Sequence, residues 1–279
     1  MDLQLFRSVT AGLILSVGFS MAGWTIYWCI RYALMGREDP RTDQLTVRLR
    51  HFTKYVLGQA RTIREPAGQI HFFVFWGFIV LQFETVEYMI QVLFPHFHWS
   101  DVIGLTAANG IMYVQDIFGL LVLIAVTLLF IRRFIIRPPH SVQSFDAALI
   151  LFLIAGLMIT KFITNGGHIA ILGGNITPET LGWNPQYTPI ANWTSATFLS
   201  GLNESGNTLD WIISLGYISH LAIVAFFANW VPLGKHMHVF TAMPNVFFRK
   251  LEPLGALYPI DLEDEEAESF GAGKLEDLT

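Results

Sequence analysis

The sequence predicts an all-α membrane protein with five transmembrane helices. Three observations carry that expectation. Of the 279 residues, 53% are hydrophobic and only 14% charged, where a soluble domain carries about 25% charged residues. Five stretches are long and apolar enough to cross a bilayer, and basic residues gather on alternate sides of them. Hydrocarbon offers no water to a backbone, so each stretch must be a helix that closes its own hydrogen bonds.

The first span is expected at about Thr10–Met35 and holds the single cysteine, Cys29. One cysteine excludes a disulfide framework, a cysteine-based zinc site and any iron–sulfur cluster held by this chain alone. In an apolar stretch it reads as a packing residue. No small-residue cleavage site follows a short apolar core, so this span is expected to be retained. Asp43–Ala60 places Leu45, Leu49, Phe52 and Val56 at helical spacing with basic residues between, the pattern of a helix lying on the inner surface. The remaining spans are expected at about Ile70–Phe94, Ile111–Ile136, Ala147–Ile163 and Leu209–Val231.

Charge fixes the expected orientation. Arg37, Arg41, Arg48, Arg50, Lys54, Arg61 and Arg64 separate the first two spans. Arg132, Arg133 and Arg137 close the third, and Lys235, Arg249 and Lys250 follow the fifth. The segment Pro95–Met112 and the span Phe162–Gly234 contain no Lys or Arg. Positive residues stay cytoplasmic, so the N-terminus is expected outside and the C-terminus inside, with Arg7 alone on the outer side. The setting would be the cytoplasmic (inner) membrane of a prokaryote. A long outer loop, Gly166–Thr208, joins the fourth and fifth spans; its Gly, Asn, Thr, Pro and Trp suggest an ordered cap or short interfacial helices. Its Asn-x-Ser/Thr matches at Asn175, Asn192 and Asn203 are what chance gives in such a composition. No internal repeat is visible. Residues 1–254 read as the membrane domain and 255–279 as an acidic cytoplasmic tail or linker. No basic stripe with interleaved aromatics points to nucleic acid.

The chemistry-bearing candidates are histidines and intramembrane charges. His220 and His238 are 18 residues apart, five whole helical turns, so on one unbroken helix both rings would leave the same face about 27 Å apart. That is what holding two stacked hemes needs; Pro232 between them can kink or end the helix. His71 opens the second span at the same cytoplasmic depth as His238, and neutral imidazoles are common axial ligands of heme iron. His220 lies mid-span, where an ionisable residue is by default functional. Its partner is open: His168, just beyond the fourth span, or His71 if one heme is bound. Glu84, Glu87, Lys161 and Asp116 lie in the outer half of the membrane zone, either as a quinol site with a proton exit or as salt bridges near the headgroups. His96 and His98 read as interfacial, His51 and His140 as solvated, and His236 as interfacial or supporting a ligand.

HLAIVAFFANWVPLGKHMHVFTAMPNVFF, with His220 and His238, resembles the last helix of the cytochrome b subunit of respiratory nitrate reductase, and HFFVFWGF with His71 resembles its second helix. Closer still, HFFVFWGF, FDAALILFLIAGLMIT, KHMHVFTAMPNVFFRKLEP and FGAGKLEDLT resemble membrane proteins in which a five-helix module precedes a heterodisulfide-reductase-like iron–sulfur domain of quinone oxidoreductases. This resemblance implies a cytochrome b module that passes electrons between a cytoplasmic iron–sulfur protein or domain and the membrane (mena)quinone pool. One heme b is implied, or two, with His71, His220 and His238 as iron ligands. There are two departures. The second histidine of the second helix falls at Leu81, and no cysteine cluster follows GKLEDLT. The iron–sulfur module is therefore expected on a separate polypeptide or on a longer form of this chain. A different reading is a heme-free anchor that docks a soluble redox enzyme through the acidic tail and the basic inner face.

Overall fold

The structure, a computed structural model, describes residues 3–36, 40–139, 144–172, 181–202 and 207–252. Residues 255–279 and His140 lie outside them. Every regular element among the described residues is helical. Five helical stretches are long and apolar enough to cross a membrane: Leu3–Ala33, Pro66–Gln91, Leu105–Ile136, Phe145–Leu172 and Thr208–Leu233. This is the architecture of a multi-pass membrane protein. The chain divides into two compact units.

The first unit comprises Met1–Met21 and Arg61–Trp230. It holds the start of α1 (Leu3–Ala33), then α3 (Pro66–Gln91), the short α4 (Ser100–Ile103), α5 (Leu105–Phe130), α6 (Phe145–Leu172), α7 (Pro189–Thr194) and α8 (Thr208–Trp230). Close approach between helices fixes their register. An added Cβ at Gly77 of α3 would sit 2.2 Å from the Val122 side chain on α5, so that seam admits only glycine. Antiparallel α6 and α8 meet at Gly167 with Ile213, Thr164 with Gly216 and Thr160 with His220. The register thereby sets a hydroxyl opposite the mid-helix imidazole. The start of α1 covers α3 and α8, packing Ala11 and Leu15 against Tyr88, Tyr217 and Leu221. Leu81, Val122, Val126, Met158 and Phe162 form a second core cluster, so the Leu81 position is filled by hydrocarbon packing.

Some expected boundaries shift: the third span starts at Leu105 rather than Ile111, whereas the fifth ends within one residue of its expected end. The first helix starts at Leu3 rather than Thr10. The fourth span runs to Leu172 rather than Ile163, because Thr164, Asn165, Gly166 and Gly167 are buried against neighbouring elements rather than turned to water. The fifth helix stops at Trp230, and Pro232 sits in a 3₁₀ turn, Val231–Leu233. His220 and His238 therefore do not share one unbroken helix; His238 begins a separate helix, α9 (His238–Phe247). Proline removes the backbone donor that continuation requires.

The described part of the stretch expected as an ordered cap or short helices, residues 181–202, forms short helical elements that pack on the longer helices. Asp116 lies eleven residues into α5, about 16 Å along its axis. Both its carboxylate oxygens accept backbone N–H bonds from the start of α7, Ile190 at 2.6 Å and Ala191 at 3.2 Å. Ile190 packs against the Leu81–Phe162 cluster, and Gly166 of α6 leaves room for the Ala191 carbonyl and Ser195 amide. The segment is thus packed against α5 and α6, with the first amides of α7 bound by the Asp116 carboxylate.

The second unit comprises Ala22–Ala60 and Val231–Thr279. Within it, α2 (Leu45–Phe52) runs on into a π turn, Thr53–Leu57, so the helix expected within Asp43–Ala60 is present over Leu45–Leu57. Arg48, read from sequence as one of several orienting charges, is 2% exposed. Its guanidinium donates to the carbonyls of Phe247 and Arg249, each at 2.9 Å, and pairs with Asp43 at 2.6 Å. That clamp fastens α2 to the end of α9.

Candidate functional site

A buried polar cluster lies in the first unit, toward the end of the helices that carries residues 92–104 and 181–202, hereafter the loop end. Lys161 of α6 and Glu84 of α3 are both buried, and Nζ lies 2.9 Å from Glu84 Oε2. The approach is off the direction of a hydrogen bond, and neither atom has another hydrogen-bond partner among the described residues. The Lys161 stem reaches the pair by lying over Gly119 of α5, where an added Cβ would meet its Cδ and Cε at 3.6 Å. Asn165, four residues beyond Lys161 on the same face, donates to Glu84 Oε1 at 2.7 Å. The Tyr88 hydroxyl lies 3.2 Å from Glu84 Oε1 and 3.1 Å from Asn165 Oδ1; its one hydrogen serves one of them at a time. Tyr217 in turn donates to the Tyr88 carbonyl. Burying one ion costs several kcal/mol, and only a partner with further hydrogen bonds offsets that. The cluster supplies both.

Asp116 does not join the pair, because its oxygens hold the α7 amides. Glu87 lies one turn beyond Glu84 on α3, with Oε1 2.9 Å from His98 Nδ1. Gln91 reaches that same oxygen at 3.4 Å and the Phe97 carbonyl at 2.9 Å.

His220 is 4% exposed. Its Nδ1 lies 3.1 Å from Thr160 Oγ1, and that hydroxyl donates back to the carbonyls of Gly156 and Leu157 at 2.8 and 3.0 Å. The Thr160 hydrogen being used there, Nδ1–H of His220 is the donor to Oγ1 and Nε2 carries the lone pair. That Nε2 is buried with no hydrogen-bond partner among the described residues, and the ring stands edge-on to Tyr88 with centroids 5.3 Å apart. His168 is eight residues past Thr160 on α6, about 12 Å further toward the loop end. Thr160, not His168, is therefore level with His220.

His71, at the other end of α3, lines a cleft of about 530 Å³ together with Arg61, Thr62, Glu65, Ala67, Gly68 and Leu129. Gly68 is required here: a Cβ would fall 1.7 Å from the Thr62 carbonyl oxygen. His238 starts α9 in the second unit and is exposed, His51 meets Arg249 at 2.8 Å, His96 is exposed, and His236 is half-buried in a 3₁₀ turn.

Sequence reasoning found Glu84, Glu87 and Lys161 but not Tyr88, Asn165 or Thr160. A signal for the first two was present: each lies four residues beyond a mid-span charge and so shares its helix face.

The fold and cluster define a class, a multi-pass helical membrane protein with a buried, charge-compensated polar site. The chain is 32% identical over 250 residues, 89% of its length, to a probable iron-sulfur-binding oxidoreductase FadF of Bacillus subtilis (strain 168), covering 34% of that protein. It is 31% identical over 248 residues, 86% of its length, to the EtfAB:quinone oxidoreductase of Syntrophomonas wolfei, covering 33% of that protein. The chain thus spans about a third of the length of these curated relatives. No family model matches the chain, and no solved structure matches it.

Proposed function

We propose that this chain is a membrane electron-transfer module, linking an iron–sulfur protein or domain on its cytoplasmic side to the membrane quinone pool through heme b. The observation that carries the reading is the likeness of nearly the whole five-helix chain to two oxidoreductases, one named for iron–sulfur binding and one for quinone. Charge distribution supports an orientation with the loop end outside.

We place the heme at the base of α3, where His71 offers an imidazole. The open cleft there is lined by His71, the apolar Leu129 and both Arg61 and Glu65. His71 would hold the iron. When bound, heme supplies one-electron exchange; protein control lies in axial ligation, burial and neighbouring charge. At the loop end, Glu84, Glu87 and Lys161 would serve a quinone and its protons. Lys161 offers a cation to a quinone oxygen, Glu84 holds that cation in place, and Glu87 adds a second carboxylate one turn on.

The test uses membranes from heme-replete expression. A reduced-minus-oxidised spectrum typical of b heme, with heme reduction by a menaquinol analogue weakened in Lys161→Ala, supports the reading. A colourless preparation removes the heme, and quinol-driven reduction indifferent to Lys161 removes the quinone site.

A further inference from the structure

A purely structural ion pair needs one anion for Lys161, and Glu84 is that anion. The structure holds a second carboxylate, Glu87, three residues on along the same face of α3, where neighbouring Cβ atoms are about 5–6 Å apart. Glu87 is matched with His98 rather than Lys or Arg, and imidazole is the side chain that exchanges protons near neutral pH. Side-chain exposure rises stepwise along this row, from 1% at Lys161 and 6% at Glu84 to 10% at Glu87 and 19% at His98. The row therefore runs from the buried pair to the loop-end surface.

We propose that Glu84, Glu87 and His98 form a proton port between the Lys161–Glu84 pair and water at the loop end, with Asn165 and Tyr88 as positioning residues that aim the Glu84 carboxylate. A proton reaching the Glu84 carboxylate makes it a carboxyl and leaves the buried Lys161 cation uncompensated, which drives the proton onward. Transfer to the Glu87 carboxylate restores Glu84, transfer to the His98 imidazole restores Glu87, and His98 releases the proton to water. No electron moves in these steps. The groups facing Glu84 are Lys161, Asn165 and Tyr88. Those facing Glu87 are His98, Gln91 and Glu84, with Asp101 bound to the His98 backbone N–H. Asp116 stays outside the row, its oxygens held by amides. The port rests on the quinone reading only for the source or use of its protons.

The test uses the full chain in lipid nanodiscs without quinone or partner, following the protonated-carboxyl infrared band after a pH jump. Glu84→Gln identifies the Glu84 signal. Glu87→Gln is expected to slow its appearance at least about tenfold, His98→Gln several-fold, and Glu87→Asp to restore most of the rate, with helix content unchanged throughout. An unchanged rate in Glu87→Gln, or no Glu84 signal at any accessible pH, overturns the port. Because no quinone is present, its failure leaves the quinone reading to the quinol-reduction measurement.

Discussion

Lys161 Nζ and Glu84 Oε2 lie 2.9 Å apart between α6 and α3, with side chains 1% and 6% exposed. Removing one partner strands the other charge away from water, which costs about 3–5 kcal/mol. Lys161→Ala is therefore expected to lower thermal stability in detergent sharply, and Lys161→Met with Glu84→Leu to recover most of the loss. Equal destabilisation of the single and double variants would count against a true buried pair.

Asp116 provides the only acceptors seen for the first α7 amides among the described residues. Asp116→Ala leaves two buried N–H groups unmatched and is expected to cost about 2–3 kcal/mol. Amide hydrogen exchange over residues 189–199 should rise, with a smaller rise in Asp116→Asn. Unaltered exchange in Asp116→Ala would remove the capping role.

In the second unit, the hydrogen bond from Arg48 holds the Asp43 carboxyl below its ordinary value of 3.8. A depressed native pKa means that Asp43 favours the folded form above the unfolded pKa. That contribution is lost as pH falls through the native value. Limited proteolysis at descending pH should find the α2–α9 clamp opening in strong acid, and Asp43→Asn should flatten that pH dependence. Arg48→Ala, which loses several bonds at once, should open the clamp at neutral pH as well.

The five spans were legible because hydropathy and length report bilayer crossing directly. Glu84, Glu87 and Lys161 were legible because charge inside an apolar run is costly and so stands out. The packing of residues 185–202 onto α5 and α6 was not. Pro185 to Leu202 has the composition of a loop, and only the packing of Ile190 and the Asp116 carboxylate reveals how closely it is held to the helices. The extension of α6 through Gly166–Gly167 was hidden for a related reason, since those glycines weaken a helix locally yet permit the contacts with Ala191 and Ile213 that bury it. The break after Trp230 was legible in Pro232, and it separates His220 and His238 onto different helices.

His220 is faced at its own level by Thr160, while Leu81 lies in an apolar core. The proposed function assigns one heme, at His71. His220→Ala should keep the heme-to-protein ratio of the unaltered chain, and a loss of one heme equivalent would restore the two-heme reading.

The most direct test is a pyridine hemochrome assay with a heme-to-protein ratio, run on the purified chain and on His71→Ala. The proposed function predicts about one b heme per chain and its loss in His71→Ala. A chain without heme after heme-replete expression, or a His71→Ala variant with undiminished heme, would contradict it.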